Sequence, residues 1–153
     1  MAHKESVQNE DLKEQLKGRN FFWNVSSSVG YTCANKPADV LLVQFFLNRW
    51  IADYKEHLPE WKPLVMDGKF GGKTWRMIKN YQGWRGWPVN DGAVGTTNGT
   101  RFYTPKQGKV YTILLMNCDY NADHPQWFDD IRMDPMVPVE LTNILSGPMP
   151  DLG

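Results

Sequence analysis

Only two cysteines, Cys33 and Cys118, occur in the 153 residues, too few for a disulfide framework. Either one bridge joins them or both are reduced, half-buried thiols, and the second reading is the simpler. Histidine is as scarce. His3, His57 and His124 stand far apart, with no His-x-x-x-His or Cys-x-x-Cys pair, so a zinc amidase or peptidase centre has no local support. No apolar run nears the roughly 20 residues of a bilayer span. Met1 to Asn20 is polar and charged and lacks the apolar stretch of a Sec-type signal peptide. The expectation is residence in the cytoplasm, or export to the periplasm or cell wall by a non-Sec route. Neither sign of charge dominates: seventeen Lys and Arg balance seventeen Asp and Glu, which argues against a nucleic acid or anionic-membrane partner.

What is present is a globular composition, with hydrophobic residues at 41% and charged residues at 22%. Seven tryptophans call for a large core or a stacking surface. Taken in order, Met1 to Gly18 reads as a solvated arm with a short helix at Glu10 to Leu16. Phe21-Phe22-Trp23 then needs cover and reads as a flap on the core. A long helix is predicted from Pro37 to Tyr54, with Asn35 as cap and Val40, Val43, Gln44, Leu47 and Trp50 or Ile51 on one face. His57 to Pro63 is a break around Trp61.

Met66 to Gln82 carries the strongest pattern. Asp67-Gly68 and Gly71-Gly72 offer positive-φ positions around Phe70, an apolar plug. From Thr74 onward, Thr74, Met77, Ile78, Tyr81 and Gln82 fall on one helical stripe. Asp91-Gly92…Gly95 repeats the D-G-x-x-G spacing of Asp67-Gly68…Gly71. Asn98-Gly99, between threonines and Phe102-Tyr103, reads as a type I′ hairpin. Thr104-Pro105 would then start a third helix with Val110, Ile113, Leu114 and Asn117 inward. Beyond Cys118, prolines fragment the chain, leaving one short helix at Val139 to Leu145.

Several chemical motifs fail on inspection. Gly72-Lys73-Thr74 has Asp67 where a phosphate loop requires glycine, and no apolar strand precedes it. Asp119-x-Asn121-x-Asp123 with Asp130 opens like a calcium loop but has His124 where the turn needs glycine. A cysteine–histidine nucleophile pair or a carboxylate pair for glycoside hydrolysis stands in no recognisable frame. No catalytic residue, metal or cofactor is therefore assigned, and the expectation is a chain that is not an enzyme.

Asp67-Gly68-x-Phe70-Gly71-x-x-Thr74 with Tyr81-Gln82 resembles the signature of the peptidoglycan-binding-domain-1 family. Asn35-x-Pro37-x-Asp39-Val40-x-x-Val43-Gln44 upstream, and Trp87-Pro88-Val89-Asn90-Asp91-Gly92-Ala93-Val94-Gly95 downstream, are similar to that family's first helix and second turn. The resemblance spans about residues 28–118. It implies a mainly α fold, a three-helix orthogonal bundle, here with a β-hairpin insertion at about 95–104. An N-terminal arm, 1–27, and an irregular C-terminal extension, 119–153, complete the expected organisation. Asp67, Gly68, Phe70, Gly71, Thr74, Gln82, Asp91, Gly92 and Gly95 would be fold-makers. The implied function is non-catalytic binding of bacterial peptidoglycan, to its glycan or stem peptide, beside a cell-wall hydrolase or within a secretion system. Trp61, Trp75, Trp84 and Trp87, with Arg85 as donor, are the candidate ligand-binding residues, because flat indoles stack on sugar C–H faces. The rival expectation is a protein-interaction adaptor, or a structural component of a secretion or contractile-injection assembly.

Overall fold

Pro37 starts the helix on which the other elements are laid. Its missing N–H costs nothing at a first helical position, and the helix, α2 as numbered below, runs Pro37–Asp53. Thirteen of its seventeen residues are buried, so it is covered all round rather than along one stripe. The computed structural model describes residues 2–57, 60–86, 90–102 and 111–145. In chain order these form β1 (His3–Ser6), α1 (Glu10–Gln15), β2 (Phe21–Asn24), α2, α3 (Gly72–Arg85) and α4 (Thr112–Asp123). Then come α5 (Pro125–Phe128), a 3-10 turn (Ile131–Met133) and α6 (Val139–Ile144). The fold is mainly α with one two-stranded antiparallel sheet. Helices α3, α4 and α6 all contact α2. Among the described residues, no helix is long and apolar enough to cross a membrane.

The N-terminus departs from the expected arm. Strand β1 pairs with β2 in the register His3↔Asn24 to Ser6↔Phe21, and Ala2, Leu12 and Leu16 belong to the core. One i, i+4 leucine pair on a six-residue helix is too short a pattern to announce burial from sequence. Asn9 caps α1 by accepting the Leu12 N–H at 3.0 Å. All four residues of β2 are buried. The Trp23 indole donates to the Phe128 carbonyl at 2.8 Å.

Buried amide side chains close the open backbone. Asn117 on α4 accepts the Trp23 N–H at 2.7 Å and donates to the Trp23 carbonyl at 2.8 Å, sealing the outer edge of β2. Asn48 pairs in the same way with Leu64, and Asn35 with Gly30. Asn35 is therefore not the cap of α2; Lys36 holds that position without a side-chain bond.

The two D-G turns are held by one device used twice. Gln44 accepts the Gly68 N–H and donates toward Asp67, the Lys69 carbonyl and the Thr74 hydroxyl. Gln82 accepts the Gly92 N–H and donates toward Asp91, the Ala93 carbonyl and the Thr112 hydroxyl. Each glycine sits at φ +71°, where only glycine is unstrained. Gly71, expected at positive φ, is extended at −152° and precedes α3 as its cap residue. The buried residues of α3 are Thr74, Met77, Ile78, Tyr81 and Gln82, the five that the helical period places inward.

The hairpin expected at 95–104 does not form over the described part, 95–102. Neither Asn98 nor Gly99 has the positive φ of a type I′ turn. Instead Asn98 folds back on Thr100 N at 3.0 Å, and Gly99 bridges Val7 while its carbonyl accepts from Gln8 and Asn9. The packed N-terminus has taken the partner role that a second hairpin strand would fill. Residues 103–110, which hold the expected start of the third helix, lie outside the described residues, and α4 occupies that place in the chain order. The boundary drawn at 118 falls inside α4. Downstream, Asp134 is buried and receives Arg49 at 3.0 Å and the Tyr120 hydroxyl at 2.8 Å, which docks the C-terminal segment against α2 and α4.

Candidate functional site

The C-terminal turns of α2 and α3 and the middle of α4 converge on a cleft. Phe46, Arg49, Trp50, Asp53 and Tyr54 line it from α2, Tyr81 from α3, and Met116, Asp119, Tyr120 and Asp123 from α4. Its volume is about 20 Å³, the room of a water molecule. That interior is too small for a sugar ring.

The rim of the cleft is aromatic. Trp84 packs on Tyr54 at 4.7 Å between centroids and on Trp50 at 5.5 Å, and Trp61 covers Trp50 at 5.0 Å. Tyr81 meets Trp50 edge-on. Trp84 remains 38% exposed, so part of this large ring faces solvent. The spacing follows from the helices: Tyr81, Trp84 and Arg85 at i, i+3 and i+4 share one end of α3.

Carboxylates line the same walls. Asp119 accepts from the Tyr81 hydroxyl and lies 3.5 Å from Arg85. Asp123 accepts from the Tyr54 hydroxyl at 3.3 Å, and Asp53 pairs with His124 at 2.7 Å and Arg49 at 3.8 Å. Burial raises the Asp119 carboxyl above its ordinary range, against the Tyr81 bond and Arg85, which lower it. Asp53 is raised by burial too, despite His124 and Arg49. The Tyr81 hydroxyl is pushed well up by burial and by Asp119, so it stays a neutral donor. Cys118, adjacent to Asp119, is pushed up to about 12 by burial and then by that charge. A thiol so held is no nucleophile at neutral pH.

The structure divides the residues singled out from sequence. Trp61, Trp84 and Arg85 come together at this cleft. Trp75 lies elsewhere, tilted against Tyr31 at 5.3 Å, beneath Lys79 at 4.6 Å, and donating to the Asp91 carbonyl at 3.3 Å. Its ring is packed against Gly92 and acts there as a wall for the second D-G turn. Trp87 lies outside the described residues. Asp67, Gly68, Thr74, Gln82, Asp91 and Gly92 sit in or beside the two glutamine clamps. Phe70 is half-buried and meets Tyr31 edge-on, and Gly95 lies near Ser28.

Sequence reading missed Trp50, Tyr54, Tyr81 and the carboxylates as a group. They were legible only as helix-face residues, since α2 and α4 meet through folding rather than through spacing. Asp119, Asn121 and Asp123 form part of α4, not a calcium loop, and no cluster able to hold a metal occurs among the described residues. Compared with protein-family models, curated proteins and solved structures, the chain matches none.

Proposed function

We propose that the chain is a non-catalytic module that binds bacterial peptidoglycan through the cleft between α2, α3 and α4. The observation that carries this reading is the half-exposed Trp84, set among Trp61, Tyr54 and Trp50 beside Arg85, Asp119 and Asp123. Flat rings flanked by polar donors and acceptors suit a sugar, whose C–H face stacks while its hydroxyls and acetamides take hydrogen bonds. The twice-used glutamine clamp supports the companion proposal that α2, α3 and α4 form a bundle like that of the peptidoglycan-binding-domain-1 family. In that reading each D-G turn is a hinge between successive helices.

Co-sedimentation with insoluble peptidoglycan sacculi tests the function. Wild type is expected in the pellet, and a folded Trp84→Ala/Arg85→Ala variant in the supernatant. A second reading, a protein-interaction adaptor in a secretion or injection assembly, draws on Met133 and Val139, 69% and 70% exposed. It gains if folded wild type ignores sacculi.

A further inference from the structure

We propose that Tyr31, backed by Phe70 and Trp75, is a stacking platform for a sugar that carries a carboxylate, with Lys79 and Arg76 as its cationic contacts. This surface is separate from the cleft, and the inference does not depend on wall binding there.

It starts from a loop that holds an aromatic ring in water. Tyr31 is 58% exposed, while the chain around it is fixed. Asn35 accepts the Gly30 N–H and donates to the Gly30 carbonyl, each at 2.8 Å, and reaches the Cys33 carbonyl at 3.3 Å. Val29 pairs with Val94 through two backbone bonds. A Cβ at Gly30 would meet that of Ala93 at 2.8 Å, so the loop is seated against the second D-G turn. Thr32 takes φ +64°, a conformation that β-branched residues rarely accept. Such strain persists only where the surrounding structure enforces it, and it clusters at functional positions. Here the strained residue directly follows Tyr31.

Two further rings back the exposed one. Phe70, from the first D-G turn, meets Tyr31 edge-on at 5.4 Å, and Trp75 tilts against it at 5.3 Å. Trp75 is fixed in turn by its bond to the Asp91 carbonyl and by its contact with Gly92. Three rings from three chain segments thus form one patch with little freedom left to lose on binding. Trp84 stands nine positions beyond Trp75. At about 3.6 residues per turn, the two indoles leave α3 on opposite sides.

Charge decides what the patch takes. The Lys79 ammonium lies 4.6 Å from the Trp75 ring centre, and exposed Arg76 follows Trp75 on α3. Among the described residues, neither cation is paired with a carboxylate. The Asp67 and Asp91 carboxylates are engaged within their own turns, by the Lys69 and Ala93 N–H groups. A pyranose lays its C–H face on Tyr31, and a carboxylate on the same ring pairs with the ammonium or guanidinium. A neutral sugar leaves the cations unused, and a simple anion leaves the rings unused. A nucleic acid strand also stacks, but its run of phosphates suits a basic groove, and the charges of this chain sum to zero.

Titration of the full chain, followed by NMR, with trigalacturonate, its methyl ester, triglutamate and a thymidine trinucleotide tests the proposal. Trigalacturonate is expected to bind and to move the Trp75 indole N–H signal. The methyl ester, which keeps the rings and loses the charge, should bind at least about tenfold more weakly, as should triglutamate and the trinucleotide. Tyr31→Ala should weaken trigalacturonate by at least about tenfold. Lys79→Gln should bring acid and ester close together, and it carries the test if Tyr31→Ala fails to fold. No binding of trigalacturonate, equal binding of acid and ester, tighter binding of triglutamate or the trinucleotide, or full binding by both variants would overturn the proposal. The titration needs no sacculi, so its outcome is separate from that of the cleft. A chain that stays out of the sacculus pellet can still bind trigalacturonate, and one that pellets but ignores trigalacturonate refutes the platform alone.

Discussion

Gln44 and Gln82 are each about 1% exposed, and each spends its amide on a D-G turn and on the threonine in the first residues of the next helix. Replacing either by alanine strands a buried glycine N–H and a threonine hydroxyl. The expected loss is about 2–3 kcal/mol for each variant, read by urea unfolding. The glutamines were legible as residues on helical stripes; what they hold was not, because their partners lie 23 to 30 positions from Gln44 and 9 to 30 from Gln82, with no periodic link. Gly92 shows a second kind of hidden constraint. A Cβ there would run into the Trp75 indole at a positive φ, so glycine at this position answers a backbone need. The cysteines allow a chemical check. Both thiols are free, and the Cys118 pKa of about 12 predicts that iodoacetamide at pH 8 spares it in the native protein. Mass spectrometry should find alkylation confined to Cys33, and both sites modified in denaturant.

At the level of elements, the N-terminal strand and helix are where sequence and structure part. Helix α3 was readable because a 3.6-residue period over fourteen residues leaves little alternative, and α2 because a proline start leads into a long, mostly apolar run. Strand β1 has four residues and α1 six, too short for any period to stand out from a polar arm. Their burial comes from tertiary pairing with β2 and from the Leu12 and Leu16 contacts. Removing residues 1–18 should therefore do more than trim a tail. It uncovers Phe21, Phe22 and Trp23 and leaves β2 without its strand partner. The truncated chain is expected to lose cooperative thermal unfolding or to aggregate, as followed by circular dichroism and light scattering. A melting temperature unchanged by the deletion would show that β1 and α1 are dispensable.

Over the whole molecule, zero net charge conceals a division. Residues 62–85 hold six Lys and Arg against Asp67 alone, while 119–134 hold five aspartates against Arg132. The acidic side includes the cleft, where Asp53 and Asp119 are raised by burial. A carboxyl raised in the folded state binds its proton more tightly there than in the unfolded chain. Its stabilising share is full below the ordinary value of 3.8 and is lost as pH rises through the folded-state value. Asp67 and Asp130 are lowered, the first by the Lys69 N–H and the second by Arg132, so their share is present above 3.8 and lost in acid. Asp119→Asn keeps an acceptor for Tyr81 and removes the charge. Relative to wild type, its melting temperature should gain as pH rises from about 4 to 7, and a flat difference would contradict the burial argument. The cleft was only half legible from sequence, which gave Trp61 and Trp84 as flat indoles and Arg85 as a donor; that Trp84 and Arg85 close the end of α3 is read from the structure. The walls that make them a site come from α2 and α4. The central claim, that this cleft attaches the chain to peptidoglycan, is tested most directly by co-sedimentation with purified sacculi. The account predicts that wild type pellets and the folded Trp84→Ala/Arg85→Ala variant does not. Folded wild type left in the supernatant, or a variant that pellets as fully as wild type, would contradict it.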